Sequence, residues 1–295
     1  MPRVVSFLPA ATEIVHALGA GRDIVGRSHE CDYPVAVTAL PVVSKPAIDM
    51  NETSPEAIDR AVAARMAAGD SMYLIDEALL RELAPDVILT QNLCRVCAPS
   101  GDELTRAVRK FPHQPEVLFL TPRSIGDIVD NIGAVGAAIG RSSRAGELCD
   151  EINSRISRVR SLTSGAESRR IVFLEWTDPL FCAGHWVPEM IEAAGGHDPI
   201  GRPQGDSVRM SWDDVIAAQP DAIIVSPCGY GLEQSVVLAR ELPKLEGIEL
   251  YAVDANAYFA RPGPRVAEGV ELLGHLFHPQ LVPWDNVERP WTRIN

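Results

Sequence analysis

The chain has 295 residues, 46% hydrophobic and 23% charged, a globular composition that excludes a disordered or fibrous protein. Lys and Arg total 27 against 40 Asp and Glu, a formal net charge of −13, and no Lys/Arg block interrupts it, which argues against general nucleic-acid or anionic-membrane binding. No apolar run approaches the roughly 18 residues that span a bilayer, and the length suits two domains or one large one.

Met1-Pro2-Arg3 leads straight into Val4-Val5-Ser6-Phe7-Leu8, a predicted first strand. No charged segment followed by a long apolar stretch and a small-residue cleavage site stands there. This carries the expectation of a cytoplasmic protein, or of a periplasmic one only as a processed form. Short β-rich runs follow at 24–26, 87–90, 117–120, 171–175, 222–225 and 250–253, and helical periodicity marks 125–139, 148–162 and 266–277. Ser54-Pro55-Glu56 starts a further helix, with proline early and an acid in the first turn, inside an insertion at about 49–76. Alternating strands and helices with near-continuous apolar strands predict an α/β fold with mostly parallel sheets covered on both faces.

Ala84-Pro85-Asp86-Val87-Ile88-Leu89-Thr90 resembles Gln219-Pro220-Asp221-Ala222-Ile223-Ile224-Val225, and Pro2-Arg3-Val4-Val5 resembles Arg169-Arg170-Ile171-Val172. Read as an internal repeat, these segments predict an N-terminal α/β lobe at 1–123, a helical connector at 124–165 and a C-terminal α/β lobe at 166–295.

Ligands of open parallel sheets bind beyond the carboxyl ends of the strands. The loops predicted there carry Pro9 and Ala10, His29, Gln91, Trp176 and Trp186, Tyr230, then Tyr258, Phe259 and Arg261. The aromatics suit a flat or bulky ligand, and backbone N–H groups after Pro9 suit its polar substituents. Trp284 and Trp291, in a Pro-rich tail, read as packing anchors. Cys94-x-x-Cys97 has metal-ligand spacing, and Cys31 and Cys228 would complete a four-thiolate set for zinc or an iron–sulfur cluster. The competing readings are small buried apolar residues or redox thiols. In a reducing compartment the six cysteines are free thiols or ligands rather than disulfides. No G-x-S-x-G, P-loop, G-x-G-x-x-G or His-Glu-x-x-His motif is present, so an enzyme is the weaker reading. Glu13 and Glu175, near strand ends, read first as carboxylates that cap helices or hold loops.

The order of these features resembles the cobalamin-type branch of the class III substrate-binding proteins of ABC transporters, the iron-siderophore and vitamin B12 superfamily. The resemblance runs through 2–13, Val25-Gly26-Arg27-Ser28 with Asp32-Tyr33-Pro34, 83–89, Gly195-Gly196, 211–225 and Tyr258-Phe259-Ala260-Arg261-Pro262-Gly263-Pro264-Arg265. It implies two α/β lobes bridged by a long backbone helix, a ligand cleft between them, and binding of a corrinoid or another metal-containing compound rather than catalysis. The sequence departs from the family in lacking an export signal and in crowding cysteines at the loop ends. Glu103 and Glu233 lie roughly where family members dock their permease, a role that the missing signal argues against.

Overall fold

Runs of β-branched and leucine residues form the central strands, and their full burial follows from helices on both sheet faces. The computed structural model describes residues 1–48, 54–68, 70–91, 104, 108, 111 and 113–294. The chain divides into two units, one comprising Met1–Pro122 with Asp127–Asp150 and the other Arg123–Gly126 with Glu151–Asn295.

The first unit contains β1 (Val4–Ser6), β2 (Ile24–Ser28), β3 (Val42–Pro46), β4 (Tyr73–Ile75), β5 (Val87–Thr90) and β6 (Glu116–Phe119), in the order β4-β3-β2-β1-β5-β6. All neighbours are parallel except β3 and β4. The chain winds outward from β1 to β3 and returns on the other side at β5, which creates a switch point between β1 and β5. Val5, Phe7 and Ile88 anchor the core with Val43, Leu80 and Leu104. The helices are α1 (Pro9–Ala17), α2 (Pro55–Ala68) and α3 (Glu77–Leu83). Asp76 caps α3 by accepting from the Leu79 amide at 2.9 Å.

The predicted helical segment resolves into α4 (Ile125–Ala138) and α5 (Ser142–Thr163). The long backbone helix implied by the resemblance is α5, 22 residues long, and α4 precedes it. Gly140, at φ +68°, breaks the helical path between them, and a Cβ on Gly136 would come within 2.4 Å of the Ala145 Cβ, so only glycine permits this contact. Helix α5 starts at Ser142, before the predicted 148. It contributes to the first unit up to Asp150 and to the second from Glu151.

The second unit contains β7 (Arg169–Thr177), β8 (Leu180–Cys182), β9 (Gly196–His197), β10 (Ala222–Val225), β11 (Glu249–Val253) and β12 (Trp291–Ile294). The order is β12-β11-β10-β7-β8, with β9 also pairing with β7. Strands β7, β10 and β11 are parallel, while β8 and β12 are antiparallel edges. The helices are α6 (Val187–Ala193), α7 (Trp212–Ala218), α8 (Leu232–Glu241), α9 (Ala255–Tyr258) and α10 (Val266–Phe277). One sheet face buries Val172, Leu174, Ile223, Val225 and Ala252 against Val215, Ala218 and Ala239.

The internal repeat has a physical basis. Asp86 accepts from the Arg3 amide at 2.7 Å, and the Arg3 guanidinium donates to the Leu83 carbonyl at 2.8 Å. Asp221 accepts from the Arg170 amide at 2.7 Å, and the Arg170 guanidinium donates to the Ala218 carbonyl at 2.6 Å. In each case the preceding helix ends on a left-handed residue, Ala84 or Gln219. Among the described residues no helix is long and apolar enough to cross a membrane.

Candidate functional site

In the second unit, the carboxyl ends of β7, β10 and β11 gather most of the predicted aromatics. Trp176 and Tyr230 lie with ring centroids 5.6 Å apart, tilted by 41°. The Asn256 amide donates to the Tyr230 carbonyl at 3.1 Å, joining the loops after β10 and β11. Tyr258 meets Trp284 edge to face at 6.5 Å, and Trp284 meets Trp291 at 5.4 Å. The tail tryptophans thus back the Tyr258 loop as well as anchoring β12. Burial pushes the Tyr230 and Tyr258 phenols up. Trp186 and Phe259 are buried and linked, the indole Nε1 donating to the Phe259 carbonyl at 3.0 Å. The Phe259 ring stands against Phe173 at 5.2 Å, and Arg261 is buried beside it in sequence.

Two arms, 183–186 and 202–207, pair over the end of β7. The His185 amide donates to the Gly205 carbonyl at 2.7 Å, the Gln204 amide to the His185 carbonyl at 2.9 Å, and the Arg202 amide to the Ala183 carbonyl at 2.8 Å. Beneath them, Glu175 accepts from the Gly184 amide at 2.8 Å and from the Ser207 hydroxyl. Burial pushes its carboxyl up to about 7, although the hydrogen bonds from Ser207 and Gly184 favour the charged form. Burial also raises Asp198, which accepts from the Gly201, Ile200 and Phe173 amides. Burial lowers His185, against the pull of Asp206 at 3.2 Å.

The first unit presents a different chemistry at its strand ends. Ser6 closes β1, Ser28 closes β2, Ser44 lies in β3 and Thr90 closes β5, all of them buried. Ser28 and Ser44 are register neighbours. This row of hydroxyls was not singled out from the sequence, although β1, β2 and β5 each visibly end in Ser or Thr. Ser44 Oγ, and Ser226 Oγ just after β10, are buried without a hydrogen-bond partner. Pro9 and Ala10 open α1, whose N-cap Leu8 offers no side-chain oxygen. His29 places Nδ1 3.1 Å from the Ser44 carbonyl and Nε2 3.2 Å from Glu30, with its ring 5.8 Å from Tyr73. Gln91 is buried directly after β5.

Of the proposed thiolate set, Cys31 and Cys228 lie among the described residues. Cys31 is buried in the first unit, where its sulfur accepts from the Thr12 hydroxyl at 3.1 Å. Cys228 belongs to the second unit and is exposed. Cys94 and Cys97 lie outside the described residues, as does Glu103. Among the described residues no group of three or more His, Cys, Asp or Glu side chains is placed to hold a metal ion. Glu233 is exposed in the first turn of α8.

Comparison with known proteins agrees with this architecture. The vitamin B12-binding protein of Vibrio vulnificus is 22% identical over 274 residues, covering 91% of this chain and 87% of the relative. The crystal structure of an ABC transporter substrate-binding protein from Listeria monocytogenes superposes with a TM-score of 0.70 at 18% identity, covering 95% of this chain and 99% of that one. A periplasmic heme-binding protein from Roseiflexus in apo form superposes with a TM-score of 0.67 at 24% identity, covering 94% and 98%. Residues 4–245 match the family described as periplasmic binding protein. With most of its length matched and both α/β units built on the same parallel plan, the chain belongs to the periplasmic binding protein family.

Proposed function

We propose that this chain binds a large, flat, metal-centred macrocycle, and that the macrocycle is a corrinoid. The observation that carries the reading is the aromatic array at the carboxyl ends of β7, β10 and β11, with Trp176 against Tyr230 and Tyr258 against Trp284. Half-buried rings of this kind offer apolar area at little conformational cost. The names of the relatives point the same way, since one binds vitamin B12 and another heme.

The choice of a corrinoid rests on charge. Beside the aromatic rings, the strand ends of the second unit offer neutral groups, the Tyr230 and Tyr258 phenols and the Ser226 hydroxyl. Neutral donors and acceptors suit the carboxamide side chains of a corrinoid. The carboxylates of a porphyrin call for cations, and a chain of net charge −13 repels a dianion at long range. Titration with cyanocobalamin and with hemin, followed by calorimetry and visible absorption, tests the reading. Saturable binding of cyanocobalamin tighter than hemin is expected. Tighter hemin would reassign the ligand, and no saturable binding of either would end the macrocycle reading.

A further inference from the structure

Helix α9 carries Tyr258, yet it is a single turn of four residues. One turn does not hold itself in water, so its place on the face has to come from packing. Backbone bonds fix the turn. The Asp254 carboxylate accepts from the Ala257 amide at 2.9 Å, and the Asn256 amide reaches the Tyr230 carbonyl. The Asp254 amide donates to the Pro290 carbonyl at 2.9 Å, a tie from the far end of the chain. The Tyr258 ring is met from the same segment, by Trp284 standing edge to face at 6.5 Å.

Residues 283–290, which bring Trp284 there, form no helix or strand, but they are anchored on both sides. Before them, Val282 is buried against Gly274, where a Cβ would lie 3.2 Å from the valine side chain, and the Val282 carbonyl lies 2.9 Å from His275 Nδ1. After them, β12 pairs with β11 from Trp291 opposite Val253 to Ile294 opposite Leu250. Within the segment the Trp284 indole donates to the Glu288 carbonyl at 2.7 Å and closes a turn. Trp291 stands at 87° to Trp284, 5.4 Å away, and is itself covered by the His275 ring at 5.1 Å and the Arg289 guanidinium at 4.9 Å. Pro283 and Pro290 precede the two tryptophans, and their fixed φ lowers the entropy lost when the segment orders.

We propose that Trp284 is a positioning residue of the binding face: the strap 283–290 holds its ring against Tyr258 and so sets the Tyr258 ring for the ligand, without contact between Trp284 and the ligand. The inference rests on the proposed corrinoid binding at this face. Without the brace, the Tyr258 side chain regains rotamers that ligand binding then has to freeze.

The test is a double-mutant cycle in the full chain, with cyanocobalamin affinity read by calorimetry and folding by thermal unfolding. Trp284→Leu fills apolar volume without a ring and should weaken binding about threefold to tenfold, the range of an aromatic pair. Trp284→Phe restores an edge-to-face partner and should bind within about twofold of the unsubstituted chain. In the Tyr258→Ala background Trp284→Leu should cause no further loss, whereas in the Trp176→Ala background its full loss should persist. A full further loss on top of Tyr258→Ala overturns the proposal, because Trp284 would then act apart from Tyr258. So does a leucine variant as tight as the unsubstituted chain, or a phenylalanine variant as weak as the leucine one. Should Trp284→Leu not fold, Trp284→Met, whose unbranched side chain adapts to the same space, replaces it in the cycle. If cyanocobalamin does not bind the unsubstituted chain, the macrocycle reading fails and amide hydrogen exchange on the ligand-free proteins decides the strap. Protection across 254–260 should fall in Trp284→Leu and recover in Trp284→Phe, with 222–225 unchanged. Equal protection of 254–260 in the leucine variant and the unsubstituted chain would overturn it.

Discussion

The Trp186 indole donates its N–H to the Phe259 carbonyl at 3.0 Å, with both residues buried. This bond ties the end of the first arm to the turn after α9, two segments that meet only through the fold. Replacing Trp186 with Phe keeps much of the apolar area but leaves the Phe259 carbonyl without that donor. We expect a loss of about 1–3 kcal/mol in stability, measured by urea unfolding, together with weaker ligand binding. Unchanged values for both would show that the bond does not organise the face.

Trp176 and Tyr258 are half-buried, each packed against a half-buried partner, Tyr230 and Trp284. Each alanine substitution should reduce cyanocobalamin affinity by roughly 0.5–1.5 kcal/mol from lost ring contacts alone, about threefold to tenfold. Thermal unfolding run alongside separates contact from folding. Wild-type affinity in both variants would remove the array as the contact surface.

A Cβ on Gly184 would meet backbone, the Ser207 nitrogen at 2.5 Å and the Gly205 oxygen at 2.9 Å, as well as the Ser207 hydroxyl at 2.9 Å. Gly184→Ala therefore has to push the arms apart. The expected cost is about 1–3 kcal/mol, with a matching loss of affinity. A melting temperature equal to that of the unsubstituted chain would show that the arms do not close over Glu175.

Stability should respond to pH in a direction opposite to that of an ion-paired carboxylate. The Glu175 carboxyl is pushed up from 4.5 to about 7 by burial. Between those values the folded chain keeps a proton that the unfolded chain has released, so unfolding free energy falls as pH rises through this window. The full effect is at most about 3 kcal/mol. Asp198, raised by burial, acts in the same direction. Denaturant unfolding between pH 4 and pH 8 should show the decline, and Glu175→Gln should reduce it. A decline of the same size in that variant would mean that other groups carry it.

The two aspartates of the repeat, Asp86 and Asp221, each accept from a strand-opening arginine amide at 2.7 Å. Substituting either with Ala should cost about 1–2 kcal/mol, of similar size at the two sites, as read by thermal unfolding. An effect at one site only would mean that the repeated motif does equivalent work in only one unit.

The repeat shows how far local sequence reaches. Pro-Asp before an apolar run announces a turn entering a buried strand, and both β5 and β10 begin and end as predicted. Helix α10 also matches its predicted limits, because its apolar positions recur at helical spacing along its length. The internal strand β3 and the short strands β4, β8, β9 and β12 are not legible in the sequence. Their residues lack a clear two-residue alternation, and what makes them strands is a partner: β12 exists by pairing Leu250–Val253 with residues from the far end of the chain.

The sequence by itself determined the α/β class, the parallel central strands and the placement of the aromatic loops at their carboxyl ends, since each depends on hydrophobic runs and turn residues close together in the chain. Only the tertiary structure decided which of those residues meet. Trp186 bonds to a carbonyl 73 positions away, and Glu175 is shut in by arms that reach as far as Ser207, 32 positions on. Burial, hydrogen bonding and the proton affinity of a carboxyl group are set by what surrounds it in space, and those surroundings come from segments whose spacing in the chain carries no local pattern.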